Sequence, residues 1–124
     1  MPKSYKVLIV EDDKFILKAI RYKFEEAKFN VKTSQTAEGG LTLLEKWTPN
    51  AIILDILLPG IDGYAFLRTV RNHPKWSTIP VIVASNINEP PDIEPGENTG
   101  YKEYIVKSDL DLNSLVEKVK TLAR

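Results

Sequence analysis

The sequence predicts an α/β fold: a doubly wound, five-stranded parallel sheet with helices on both faces. Three observations predict it. Short apolar runs alternate along the chain with segments whose apolar residues recur at helical spacing. The runs are mostly apolar throughout, as in strands buried on both faces, where an exposed sheet face would give alternation. Four of the five runs stop abruptly at polar or charged residues, and in open parallel sheets the carboxyl ends of the strands are where ligands bind.

The first run, Tyr5–Val10, is a strand that ends at Glu11-Asp12-Asp13. Asp13 stands where a helix N-cap belongs, since its carboxylate can accept from the orphan N–H groups of a first turn. Leu17, Ile20, Phe24 and Ala27 then keep helical spacing. Asn30–Ser34 is a short strand, and Thr36 caps the next helix, whose apolar face is Ala37, Gly40, Leu41 and Leu44. Gly39-Gly40 is poor helix material, so this helix is expected to start weakly. Pro49 closes it. Ala51–Leu54 is a continuous apolar strand that ends in Asp55. Pro59-Gly60 and Asp62-Gly63 mark a turn, and Gly63, Leu67 and Val70 give a helical face running to Asn72. Pro80–Ala84 is a fourth buried strand ending at Ser85, and Tyr104–Val106 a fifth ending at Lys107. Leu112, Leu115, Val116, Val119 and Leu122 form a last amphipathic helix capped by Asp111.

Between Ser85 and Tyr104 the strand–helix rhythm calls for a fourth helix, but the residues oppose it. Pro90, Pro91, Pro95, Gly96 and Gly100 fall there, and an interior proline costs a helix about 3 kcal/mol or more. A fourth helix that is short or irregular is the expectation. The segment from Ile87 to Gly100 is further expected to be the least stable part of the domain.

Bulk properties narrow the function classes. A chain of 124 residues is one domain by length, here 1–124. Lys+Arg and Asp+Glu number 17 each, which argues against direct nucleic-acid binding, because neutralising phosphates needs a basic excess. There is no cysteine, so disulfides and thiolate–metal sites are excluded. No signal-peptide pattern or membrane-length apolar run is present, so a cytoplasmic protein without membrane insertion is expected. With no effector domain in these residues, output is expected to come from this domain binding a downstream protein partner.

The residues expected at the carboxyl edge of the sheet are Glu11, Asp12, Asp55, Ser85 and Lys107. Three neighbouring carboxylates repel one another, and an oxygen-seeking divalent cation relieves that repulsion. Mg²⁺ suits such a site, since it takes one or a few carboxylates and keeps waters for a phosphate. A lysine supplies a point charge for phosphoryl oxygens, and a serine hydroxyl one further hydrogen bond. Carboxylates act as nucleophiles through aspartyl phosphates, and phosphoryl transfer asks mainly for positioning and charge neutralisation. The inventory suits attack by Asp55 on a phosphoryl donor. His73, before Pro74, reads as a solvated loop residue, and Trp47 and Trp76 as surface-packing aromatics near helix ends.

The order Ile-Val-Glu-Asp-Asp, Leu-Asp-Ile-Leu-Leu-Pro-Gly-Ile-Asp-Gly, Val-Ala-Ser, Tyr-Ile-Val-Lys resembles the receiver domain of two-component response regulators, over essentially the whole chain. The resemblance implies a flavodoxin-like sheet of strand order 2-1-3-4-5. It implies Asp55 as phosphoacceptor, with Glu11, Asp12, Asp55 and the backbone carbonyl of Leu57 around Mg²⁺. It implies Lys107 as the phosphoryl partner, Ser85 as switch hydroxyl and Tyr104 as switch aromatic. The partner implied is a sensor histidine kinase or phosphotransfer protein, and the expected state is a monomer or weak dimer. Such a module is not an enzyme on other substrates; it catalyses only its own phosphorylation and dephosphorylation.

The chain departs from the family pattern in three places. Lys107 is followed by Ser108-Asp109 where a proline is usual, a minority pattern that resembles single-domain, chemotaxis-regulator-like receivers. Asn86 follows Ser85 where a smaller residue is common. The Pro/Gly-rich segment replaces a standard fourth helix. Alone, Asp55 could be a turn-capping aspartate, Lys107 a surface lysine, Ser85 a turn serine and Tyr104 a packing residue; together they favour the site. The alternatives are a pseudo-receiver that binds proteins without being phosphorylated, and a metal-dependent phosphatase, for which no second nucleophile or general acid is evident.

Overall fold

The computed structural model describes residues 4–58, 60, 62–86 and 101–123. It contains strands β1 (Lys6–Val10), β2 (Asn30–Ser34), β3 (Ala51–Leu54), β4 (Val81–Ser85) and β5 (Glu103–Val106), with helices α1 (Lys14–Glu26), α2 (Ala37–Lys46), α3 (Gly63–Asn72) and α4 (Leu112–Ala123). The sheet is parallel throughout, in the order β2-β1-β3-β4-β5. This is the expected doubly wound fold. The expected short or irregular fourth helix, and the expected instability between 87 and 100, fall outside the described residues.

Alternation along the strands builds two cores. Leu8, Val10, Ile52, Leu54, Val81 and Val83 point to one face and pack with Ala37 and Leu44 of α2 and Phe66, Leu67 and Val70 of α3. Val7, Ile9, Ala51, Ile53, Ile82 and Ala84 point to the other and pack with Ile20 and Phe24 of α1 and Leu115, Val116 and Val119 of α4. Burying one large aliphatic or aromatic side chain is worth roughly 1.5–3 kcal/mol. Burial on both faces is why these strands carry no polar alternation.

The ends of the elements follow from local chemistry. The fourth strand runs from Val81 to Ser85, one residue later than expected. Pro80 has no N–H to give a ladder, although its carbonyl accepts from Ile52 N at 2.9 Å. Asp13, Thr36 and Asp62 cap α1, α2 and α3, and Asp111 Oδ1 accepts from Asn113 N at 3.0 Å at the start of α4. The double glycine does not delay α2, which begins at Ala37. A Cβ on Gly40 would stand 3.0 Å from the Phe66 ring and 3.1 Å from Val10 Cγ2, so the lost propensity is exchanged for close packing onto β1 and α3.

Gly63 opens α3 against the turn after β3. Its N–H donates to Ile56 O at 2.9 Å. A Cβ there would lie 2.4 Å from Ile56 Cα and 2.7 Å from the Asp55 carbonyl oxygen, both backbone. Gly63→Ala should therefore push α3 off the turn and cost about 1–3 kcal/mol or more. Urea unfolding checks this, and an unchanged midpoint would show that α3 can slide without penalty.

Trp76 departs from its reading as a surface aromatic, whereas Trp47 fits it. Trp76 is 6% exposed and belongs to the α2/α3 core, whereas Trp47 is half-buried. The Arg71 guanidinium folds the 73–79 connection inward by donating to Ser77 O at 2.8 Å and Ile79 O at 2.6 Å. His73 is half-buried and stacks on Trp76 with ring centroids 3.7 Å apart, so it is not a fully solvated loop residue.

Candidate functional site

Parallel pairing brings the carboxyl ends of β1, β3, β4 and β5 to one edge. The ladder continues one step past the strands: Glu11 N donates to Ser34 O at 3.0 Å, and Asp55 N donates to Val10 O at 2.9 Å. Both backbones are thereby fixed before their side chains are considered. Asp13 is committed elsewhere, its Oδ1 accepting from Phe15 N at 2.9 Å and Ile16 N at 3.2 Å. That leaves Glu11 and Asp12 as the acidic pair facing the edge.

Glu11 and Asp55 are buried carboxylates, 2% and 3% exposed. Lys107 bridges them, with Nζ 2.7 Å from Glu11 Oε1 and 2.9 Å from Asp55 Oδ2. Backbone N–H groups hold the remaining oxygens: Asp13 N donates to Glu11 Oε2 at 3.1 Å, and Leu57 N donates to Asp55 Oδ1 at 3.0 Å. Each buried carboxylate is therefore tied at both oxygens, which removes its rotational freedom. Asp12 is exposed, yet a carboxylate oxygen of each of Glu11, Asp12 and Asp55 lies within 4.8 Å of the other two.

One ammonium pairs with two of the three clustered carboxylates, so the group is short of positive charge. The strain appears on Glu11. Burial pushes its carboxyl from 4.5 up to about 7, and the Asp55 charge adds to the rise, against the lowering effect of Lys107 and the Asp13 N–H. For Lys107, burial disfavours the charged form, but the paired carboxylates outweigh it and the net shift is upward. Lys107 thus stays protonated at neutral pH.

The other residues singled out in the sequence lie around this core. Ser85 is the last residue of β4, fully buried, and paired in register with Val106 beside Lys107. Asn86 is exposed. Leu57 is 52% exposed, and its peptide N–H is the group that fixes Asp55. Tyr104 is half-buried against the α2/α3 core, with its ring centroid 5.9 Å from that of Tyr101. Lys107-Ser108-Asp109 forms a single 3₁₀ turn, closed by Leu110 N donating to Lys107 O at 3.1 Å. Sequence reasoning missed two contributors. The Asp13 N–H orients Glu11, for which the cap position was the available signal, and Glu11 is a second partner of Lys107.

Comparison with known proteins gives a consistent picture. A family model described as response regulator receiver domain matches residues 7–120. The transcriptional regulatory protein AfsQ1 of Streptomyces coelicolor is 34% identical over 101 residues, covering 82% of this chain and 44% of that protein. The phosphate regulon transcriptional regulatory protein PhoB of Rhizobium meliloti is 29% identical over 96% of this chain and 52% of its own length. The chain thus spans about half the length of these two relatives. Among solved structures, a putative response regulator from Chloroflexus aurantiacus superposes with a TM-score of 0.87 at 30% identity, covering 98% of both chains. The phosphorylated cyanobacterial phytochrome response regulator RcpA gives a TM-score of 0.79 at 26% identity, over 97% of this chain and 91% of that one.

Proposed function

The chain belongs to the response regulator receiver domain family, and from that premise we propose that it is a phospho-switch whose acceptor is Asp55. The observation that carries the reading is the buried Asp55 carboxylate, held by Lys107 at 2.9 Å and by the Leu57 N–H at 3.0 Å, within reach of two further carboxylates. Such fixed groups hold a nucleophile in line before the donor arrives, and phosphoryl transfer asks for little else.

The donor set fits Mg²⁺. It is all oxygen, the three ligand atoms are close together, and exposed Asp12 leaves a side open to water. Glu11, Asp12, Asp55 and the Leu57 carbonyl would hold the ion, which supplies positive charge toward the phosphoryl oxygens. An Asp55 carboxylate oxygen forms the new bond to phosphorus as the phosphorus–nitrogen bond of a phosphohistidine donor breaks. Lys107 turns from Glu11 and Asp55 to the incoming phosphoryl oxygens, and Ser85 donates to another. Tyr104 reports the change at the face it packs on. Water later cleaves the aspartyl phosphate, returning Asp55 and inorganic phosphate. The donor is a histidine kinase or phosphotransfer protein, and the output is altered binding of a protein partner.

Incubation with Mg²⁺ and acetyl phosphate tests the reading. Intact-mass measurement should show one added phosphoryl group, stable in acid and lost in base, that Asp55→Asn abolishes. No adduct at any Mg²⁺ concentration would favour an unphosphorylated pseudo-receiver.

A further inference from the structure

We propose that the outer edge of β2 accepts an extended acidic segment of a partner protein as a sixth, antiparallel strand. The sheet order leaves β2 at an edge, paired with β1 on one side only. Its hydrogen bonds fix which groups turn outward. Asn30 N donates to Tyr5 O at 2.8 Å, and Ser34 O accepts from Glu11 N at 3.0 Å, so Asn30, Lys32 and Ser34 aim their peptide groups at β1. Alternation then aims the N–H and C=O groups of Val31 and Thr33 away from the sheet. An added antiparallel strand takes up all of these groups, and such an edge strand is common on an otherwise parallel sheet.

Charge selects the occupant. Lys32 is in register with Leu8 and Asn30 with Lys6, so both lysines lie on the α2 face of the sheet. There the ammonium groups of Lys6 and Lys32 stand 6.0 and 5.6 Å from the ring of Trp47, the residue after α2. One ring thus gathers two cations, and among the described residues neither pairs with a carboxylate. A lone edge lysine is the usual guard against edge-to-edge pairing; a second lysine and a tryptophan behind it exceed what that guard needs. A strand laid along β2 sets alternate side chains on this same face, one of them directly opposite exposed Lys32. An acid at that position supplies the missing counter-charge. A second copy of β2 does not. The register that pairs Val31 with Thr33 in both directions sets Lys32 against Lys32, and like charges directly opposite destabilise a strand pair. Moving the two-fold axis to Val31 or to Thr33 separates the lysines but breaks one of the two hydrogen-bonded pairs. A nucleic acid meets the lysines and the ring, but it has no peptide groups for Val31 and Thr33.

Strand β2 has 5 residues, so the contact is short and its Kd should be on the order of 0.1–1 mM, the weak end of specific binding. The probe is the acetylated, amidated peptide Glu-Val-Glu-Val-Glu, which sets its middle glutamate opposite Lys32 and its valines opposite Val31 and Thr33. NMR titration of the isotope-labelled full chain reads the contact residue by residue. The backbone amides of Val31 and Thr33 and the Trp47 indole should shift. The same peptide methylated at both valine nitrogens should bind about tenfold or more weakly, because in an antiparallel pair those N–H groups face β2. The chain carrying Lys6→Gln and Lys32→Gln should bind the unmethylated peptide roughly three- to tenfold more weakly. Its amide spectrum away from β2 should match wild type, which separates lost binding from unfolding. The peptide Lys-Val-Lys-Val-Lys should not bind. Unmoved Val31 and Thr33 amides, equal binding of the methylated peptide, or equal binding of the lysine peptide overturns the proposal. So does wild type that dimerises through β2 without peptide, which gives the edge to a second copy. A short oligothymidylate that binds the Trp47 cluster more tightly than the peptide also overturns it, in favour of a nucleic acid.

Discussion

Lys107→Ala should destabilise the metal-free domain by about 3–5 kcal/mol near pH 8, the usual cost of removing one partner from a buried ion pair. Two carboxylates lose their common cation at once, since Nζ lies 2.7 Å from Glu11 and 2.9 Å from Asp55, and both acids are buried. From sequence, the lysine neutralises the phosphoryl group and can pair with Asp55 in the free state. The structure adds Glu11 as a second partner in the resting state. Phosphorylation by acetyl phosphate should persist in the variant, slower by roughly 10²–10³-fold, the scale for losing one fixed electrostatic group, because Asp55 and the acidic pair remain. The switch in partner binding should be weakened. Urea unfolding and the rate of mass gain check the two halves. Wild-type behaviour in both would remove Lys107 from the site.

Proton uptake by Glu11 shapes the pH dependence of that result. Its folded value, about 7, is above the ordinary 4.5, so the folded state binds this proton more tightly than the unfolded chain does. The contribution from this group is fully present below pH 4.5 and is lost as pH rises through about 7. Without divalent metal, wild type should lose stability relative to Glu11→Gln across that window. The Lys107→Ala penalty should shrink toward pH 5, where Glu11 can shed its charge. A flat difference between wild type and Glu11→Gln would mean that Lys107 and the Asp13 N–H hold Glu11 near its ordinary value.

Asp12→Ala should separate metal binding from folding. Asp12 is exposed, so its removal orphans no buried partner, and relief of like-charge repulsion should leave the domain as stable or slightly more so. One unit charge at 4 Å is worth about 1–4 kcal/mol at surface-like dielectric, so Mg²⁺ affinity should fall by on the order of tenfold to a thousandfold. Calorimetric titration measures this, and phosphorylation should fall with it. Normal phosphorylation of the variant in EDTA would sink the metal assignment.

The fold was legible because its signals are local. Asp13, Thr36 and Asp111 stand at cap positions, and β3 is a pure apolar run ending at Asp55, so element type and chain direction followed from period and punctuation. Once the strands are parallel, their polar stops must gather at one edge, which is why the acidic cluster follows from the sequence. The less legible features depend on long-range geometry. Lys107 reaches Asp55 across 52 positions of chain, and nothing local says that it also takes Glu11. Trp76 looks like a surface aromatic in a polar loop until Arg71 ties that loop to its carbonyls. Gly39-Gly40 looks like a helix defect until Phe66 and Val10 are seen pressed against Gly40.

On the proposed reading, Asp55 receives the phosphoryl group with the help of its acidic neighbours. The most direct measurement is borohydride reduction of protein treated with acetyl phosphate and Mg²⁺, followed by peptide sequencing by mass spectrometry. Reduction converts an aspartyl phosphate to homoserine and leaves a free carboxylate untouched. Homoserine should appear at position 55, and should vanish when EDTA replaces Mg²⁺. Homoserine at position 12, no homoserine at all, or a yield indifferent to EDTA would rule out that role for Asp55 and its neighbours.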